Sequence, residues 1–288
     1  MTSTTSGNTD TAGAGAPAGP GAARIVTRDA TIGYRRRVVA EHLSVEVPDR
    51  SFTAIIGPNG CGKSTVLRAL SRILPPISGE VLLDGRAIAG YPAKEAARLL
   101  GLLPQSSPAP DGIRVADLVA RGRAPYQNLF HQWRPSDEAA VRDALAATRL
   151  TELSGRLIGE LSGGQRQRVR VAMLLAQDTP IMLLDEPTTF LDIAHQYELM
   201  ELFRTLHADG RTIVAVLHDL NQAARYADHL IVMRGGRVVT TGPPQAVITA
   251  ELIEEVFGLR CLVVPDPVTG TPTVVPLDPR TPTTGGTR

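Results

Sequence analysis

The chain has 288 residues, of which 43% are hydrophobic and 20% charged, and its formal net charge is +1. That size and apolar content suit one large α/β domain or two lobes with a substantial core. The near-neutral charge gives no electrostatic basis for binding nucleic acid. No apolar run approaches the roughly 18 residues needed to span a bilayer. The two cysteines, Cys61 and Cys261, are too few for a disulfide framework and suit a reducing cytoplasm.

Residues 1–23 are almost entirely Thr, Ser, Gly, Ala and Pro, without the basic and apolar regions of a signal peptide, and read as a disordered extension. From Arg24 to Asp49 apolar and polar residues alternate, which predicts an antiparallel β portion. Tyr34 in this portion offers either an aromatic face for adenine or an ordinary buried strand side chain. Arg35, Arg36 and Arg37 read first as a solvated turn, with electrostatic help to phosphates as the lesser alternative.

Next comes TAIIGPNGCGKSTVLRA at 53–69. Ala54 to Ile56 reads as a buried parallel strand, and a helical pattern begins at Ser64. The glycines between them, Gly57, Gly60 and Gly62, free successive backbone N–H groups to wrap phosphate oxygens, and the following helix turns its positive end toward them. Lys63 adds a charge for the β- and γ-phosphates, Ser64 a hydroxyl for Mg²⁺, and Thr65 a contact near the α-phosphate. This is a P-loop. Cys61 inside it is either a thiol activated by positive potential or a small filler, and the filler is the simpler reading.

Glu80 to Leu83 reads as a strand, and so does Leu99 to Leu103, with Gln105 just beyond it. An amide so placed has an oxygen to offer Mg²⁺ and a nitrogen to offer water. Residues 106–135 are rich in proline, contain Trp133, and enclose a short helical stretch from Val115 to Arg121, as an exposed adaptable surface would. A helix is expected from Ser136, as its N-cap, to Thr148.

At 161–168 stands LSGGQRQR, where Ser162, Gly163 and Gly164 open a helix running to about Gln177. Its N-terminus is a second anion site, which suggests that two subunits share each γ-phosphate. Ile181 to Leu184 is a buried strand that delivers Asp185 and Glu186 at its carboxyl end. Asp185 suits Mg²⁺ held through water, and Glu186 suits an attacking water. Asp192 follows in PTTFLD, placed for contact across an interface. Thr212 to Leu217 is a further strand ending in His218, within reach of a γ-phosphate or attacking water. The other five histidines read as surface or structural. A hairpin over 230–242, one helix from Ala246 to Phe257, short β segments over 261–277 and a tail from Asp278 complete the chain.

Taken in order, GPNGCGKST, Gln105, LSGGQ, IMLLDE, TTFLD and His218 resemble the ATP-binding cassette ATPases, the nucleotide-binding subunits of ABC transporters. The resemblance implies an α/β P-loop NTPase core with a parallel sheet over residues 24–277, an N-terminal antiparallel β subdomain and an α-helical subdomain at about 106–178. By the same resemblance Tyr34 would stack on adenine, and Gly57, Pro58, Asn59, Gly60, Cys61, Gly62, Lys63, Ser64 and Thr65 would surround the phosphates of ATP. Ser64, Gln105 and Asp185 would hold Mg²⁺, and Glu186, His218 and Gln105 would complete the hydrolytic site. Ser162, Gly163, Gly164, Gln165 and Asp192 would close over ATP bound by a second, identical ATPase subunit. Membrane permease subunits and, indirectly, an extracytoplasmic substrate-binding protein are the implied partners, with the chain peripheral at the cytoplasmic face of the membrane and no nucleic acid involved.

GRAPY at 122–126, TTFLDIAHQ at 188–196, LHDLNQAARYA at 217–227 and DPVTGTP at 266–272 are similar to the ferric-siderophore importer branch, of the ferric enterobactin kind. The vitamin B12 and haem importers share much of this text. A soluble, non-transport ABC ATPase is the rival class. One P-loop, one LSGGQ and no long heptad run speak against its two-cassette and coiled-coil forms.

Overall fold

The structure is a computed structural model that describes residues 23–34, 37–105, 112–127 and 133–278. The expected extension before Ala23, Arg35 and Arg36, the segments 106–111 and 128–132, and the tail after Asp278 lie outside the described residues. In chain order the elements begin β1 (Ala23–Tyr34), β2 (Arg37–Leu43), β3 (Glu46–Pro48), β4 (Phe52–Ile56), α1 (Lys63–Leu70), β5 (Ser78–Leu83), β6 (Arg86–Ala87), α2 (Ala93–Leu99) and β7 (Leu100–Leu103). They continue through α3 (Val115–Ala120), α4 (Pro135–Ala147), α5 (Gly163–Gln177), β8 (Ile181–Asp185), α6 (Ile193–Ala208), β9 (Thr212–Val216) and α7 (Leu220–Tyr226). The chain closes with β10 (His229–Arg234), β11 (Arg237–Gly242), α8 (Pro244–Val247), α9 (Ala250–Phe257), β12 (Cys261–Pro265) and β13 (Pro272–Pro276).

The central sheet has the order β11-β10-β4-β9-β8-β7, parallel throughout except for β11 at its edge. Parallel strands covered on both faces are apolar at nearly every position, and β4, β8 and β9 are buried end to end. Their period of two divides the core. Phe52, Ala54 and Ile56 face a cluster with Phe203, Ile213 and Ala215, while Ile55 faces Val66, Leu67 and Leu70 of α1. Each fully buried Leu of α1 contributes about 1.5–3 kcal/mol, which anchors the helix that opens the P-loop. The first strands form the antiparallel sheet β2-β1-β5-β6, with β3 also on β1. An α/β core, an antiparallel β portion and a helical portion are therefore all present.

The helical portion has its own cluster, in which Val115, Leu118, Val141 and Leu145 of α3 and α4 meet Val169 and Ala172 of α5. Val171 and Leu174 of α5 belong instead to the central core, so α5 bridges the two. The GRAPY run departs from the expected exposed surface. Arg123 is buried, pairs with Asp137 at 2.8 Å and donates to the Ala176 carbonyl at 2.9 Å, which locks α4 onto α5. Two local expectations also change. Arg134 rather than Ser136 is the N-cap of α4, because Asp137 accepts from the Arg134 N–H at 3.0 Å. The expected helix at 246–257 is two helices, since Thr249 turns extended and its hydroxyl caps α9 through Leu252 N–H.

Candidate functional site

β4 runs straight into the P-loop, whose backbone is fixed by close approach to β10. A Cβ on Gly57, at φ +155°, would lie 2.2 Å from the Met233 carbonyl oxygen, so only glycine fits. Gly62, at φ +106°, turns the chain into α1. Lys63 is buried, and its Nζ donates to the carbonyls of Gly57 at 2.8 Å and Pro58 at 3.0 Å. The ammonium therefore points into the loop, where its charge serves an anion best.

Strand order brings the remaining groups to the same edge. β8 is one strand removed from β4, and Asp185 at its end accepts from the Ser64 hydroxyl at 2.7 Å across 121 positions of sequence. Burial pushes the Asp185 carboxyl above its ordinary range, and the Ser64 hydrogen bond opposes that shift. Glu186 follows in a left-handed conformation, φ 53°, which costs a non-glycine residue on the order of 1–3 kcal/mol. Its carboxylate is gripped from two sides. His218 Nε2 lies 2.5 Å from Oε1, and Gln105 Nε2 donates to Oε2 at 2.7 Å, with Thr189 Oγ1 at 3.4 Å from Oε2.

Tyr34, Asn59, Gly60, Gly62, Lys63, Ser64, Thr65, Glu186 and His218 line one cleft. Arg37 and Val39 line it too, so Arg37 belongs to the cleft wall and not simply to a solvated turn. Tyr34 is 42% exposed, and its hydroxyl accepts from Arg68 at 2.9 Å, so its ring is free to stack. Cys61 is buried beneath the loop. Burial raises its thiol pKa against the opposing charge of Lys63, which makes it an inert filler.

Residues 162–165 and Asp192 are not in that cleft. They line a second one, together with Arg168, Phe190, Leu191 and His195. Ser162 opens α5 with a capping box: its hydroxyl accepts from Gln165 N–H at 3.2 Å and the Gln165 side chain accepts from Ser162 N–H at 2.9 Å. Asp192 caps α6 through His195 N–H at 3.0 Å and meets His195 Nδ1 at 2.7 Å. His195 and Arg168 line this cleft too; they stand within TTFLDIAHQ and LSGGQRQR, where no separate role attaches to either. For a divalent cation, the P-loop cleft offers the Ser64 hydroxyl and the Asp185 carboxylate. These hard oxygen donors suit Mg²⁺ completed by phosphate and water. Among the described residues no cluster of three or more His, Cys, Asp or Glu competes for it.

A P-loop, a paired Asp185–Glu186 strand end, and a Gln and a His on one carboxylate define a nucleoside-triphosphate hydrolase, and the capped Gly-Gly helix start lines a cleft of its own. Residues 40–189 match the ABC transporter family model. The chain is 56% identical over 263 residues to the ferric enterobactin transport ATP-binding protein of Escherichia coli K12, covering 91% of this chain and 97% of that one. It is 46% identical to a petrobactin import ATP-binding protein of Bacillus anthracis, covering 87% and 92%. Its fold is similar to that of a metal-chelate type ABC transporter solved in an inward-facing conformation, with TM-score 0.75, 27% identity and coverage of 89% and 98%. The chain belongs to the ABC transporter family as an ATP-binding subunit, and such subunits are ATPases.

Proposed function

We propose that the chain powers import of ferric siderophores by hydrolysing ATP at a cleft completed by a second copy of itself. The observation that supports the cargo is the 56% identity, over nearly the full length of both chains, to the ferric enterobactin subunit. The observation that supports a second copy is geometric: the P-loop and the 162–165 helix start line different clefts of one chain.

In this reading the loop N–H groups and Lys63 bind the phosphates, and Tyr34 stacks on adenine. Ser64, Asp185 and Gln105 hold Mg²⁺, which when bound offsets the negative charge of the β- and γ-phosphates. Glu186 orients and polarises water in line with the γ-phosphate, and His218 supports both. Because phosphoryl transfer depends on placement and charge rather than covalent participation, the left-handed Glu186 and its two hydrogen-bonding neighbours are the groups on which rate depends. Residues 162–165 and Asp192 close over the nucleotide of the partner copy. No helix among the described residues is long and apolar enough to cross a membrane, which suits a subunit seated on a permease at the cytoplasmic face. The surface from Gln105 to Trp133, both of which are exposed, is assigned to that permease.

The test is uptake of iron from a panel of ferric siderophores, with haem and cobalamin alongside, in cells lacking the gene and complemented by wild type or Glu186→Gln. Restoration of siderophore iron by wild type alone is expected. Restoration of haem or cobalamin uptake instead would replace the cargo assignment.

A further inference from the structure

One wall of the P-loop cleft is the hairpin of β1 and β2, and a cation on that wall has no part in the reading given above. Arg37 opens β2 and stands directly across from Tyr34 at the end of β1. Residues directly opposite on antiparallel strands present their side chains to the same face, so Arg37 shares the face on which the Tyr34 ring is free to stack. Val39, the second residue beyond Arg37, lies on that face as well, and its side chain is what a Cβ on Gly62 would meet at 3.0 Å. β2 thus leads from Tyr34 to the start of α1, and Tyr34, Arg37, Val39, Gly62 and Lys63 all line the one cleft.

Among the described residues, Lys63 and Arg37 are the only lysine and arginine lining this cleft, and they are held differently. Lys63 is buried, with its Nζ on the Gly57 and Pro58 carbonyls. Arg37 is exposed and makes no hydrogen bond or ion pair among the described residues. A nucleoside triphosphate with its Mg²⁺ still carries more negative charge than the single ammonium of Lys63 offsets. Its phosphate chain runs from Ser64 and Asp185, the Mg²⁺ end, toward the ring of Tyr34. Arg37 stands at the Tyr34 end of that path, so the phosphate within its reach is the α-phosphate. The planar guanidinium pairs with two phosphate oxygens at once, and their charge draws it more strongly than the neutral edge of a base.

We propose that Arg37 is a further nucleotide-binding residue, whose guanidinium closes on the α-phosphate from the β1–β2 hairpin; this rests on the reading above, that the cleft binds ATP with its adenine on Tyr34. Arg37 serves binding and not the chemical step, because the bond that breaks, between the β- and γ-phosphates, lies at the other end of the chain. The contact is therefore made alike to ATP and to ADP, and alike to nucleotides of different base.

The test measures binding of ATP, ADP and GTP to the full-length protein in a Glu186→Gln background, and steady-state ATP hydrolysis without that change, with Arg37 intact and in Arg37→Ala, Arg37→Lys and Arg37→Glu. Arg37→Ala is expected to weaken all three nucleotides by a common factor of about five, and to raise the KM for ATP equally at unchanged kcat. Arg37→Lys should recover part of the loss, since the charge stays while the fork is gone, and Arg37→Glu should lose about tenfold or more. The gap between wild type and Arg37→Ala is expected to narrow as salt rises toward about 1 M, because the side chain is exposed. For the same reason the melting temperature should not change. The proposal is overturned if Arg37→Ala binds ATP as wild type does. It is overturned equally by a loss that spares GTP, which marks a contact to the base, or that spares ADP, which marks the γ-phosphate. A fall in kcat at unchanged affinity also overturns it, and marks a contact to the partner copy. Nucleotide binding by wild type beside an unchanged Arg37→Ala removes Arg37 alone; a wild type that binds no nucleotide removes the proposed function.

Discussion

His218 Nε2 and Glu186 Oε1 stand 2.5 Å apart, at the ends of neighbouring parallel strands β9 and β8. Because Gln105 occupies the other oxygen of the same carboxylate, Glu186 is held in position before any nucleotide is added. Its left-handed backbone adds to that preorganisation, since the fold has already met the cost of the strained conformation.

Tyr34 is set by one hydrogen bond from Arg68. Tyr34→Ala is expected to raise the KM for ATP about fivefold with little change in kcat, matching a stacking contribution on the order of 1 kcal/mol. Tyr34→Phe keeps the ring, and its effect is expected to stay within about twofold. Steady-state hydrolysis decides; an unchanged KM for the alanine variant would remove Tyr34 from the adenine site.

Separate clefts for the P-loop and for 162–165 predict complementation between chains. Lys63→Ala and Ser162→Arg are each expected to abolish hydrolysis. Mixed together, they form dimers with one intact composite site and recover up to about a quarter of wild-type rate. Mixtures as inactive as the parents would place both half-sites on one chain's nucleotide.

Cys61 lies two residues from the Lys63 ammonium, yet burial holds its thiol pKa above the ordinary value. Alkylation by iodoacetamide at pH 8 is expected to run at least about tenfold slower than for free cysteine. A rate equal to that of free cysteine would show an exposed, activated thiol.

Burial, with the Glu201 hydrogen bond at 3.0 Å, pushes the Tyr226 hydroxyl up to about 12 from 10.0. Between those values the folded chain keeps a proton that the unfolded chain has released. The stabilisation is therefore complete below pH 10 and is lost as pH rises toward 12. Tyr226→Phe is expected to cost about 1 kcal/mol near pH 8 and to flatten that decline, as measured by urea unfolding against pH. Equal slopes for the two proteins would contradict the assignment.

What could be read in advance follows from the range of each interaction. The P-loop, the fully apolar strands β4, β8 and β9 and the capped start of α5 are written in contiguous residues, and they stand where periodicity and glycine spacing put them. Leu99 ends α2 instead of opening β7, a shift of one residue typical of element boundaries. The start of α4 differs from the expected one because Asp137 reaches back to cap it, and the 246–257 stretch divides because Thr249 offers a cap among apolar neighbours. Arg123 read as surface since its partners, Asp137 and the Ala176 carbonyl, are 14 and 53 positions away. His195 showed no local sign that it would face residues 162–165.

The most direct measurement is phosphate release by purified wild type and Glu186→Gln, with ATP binding determined in parallel. Wild type is expected to turn over ATP, and Glu186→Gln to bind it with similar affinity while releasing phosphate about a hundredfold more slowly or less. Hydrolysis by Glu186→Gln at the wild-type rate would show that the carboxylate held by His218 and Gln105 is not the group that activates water.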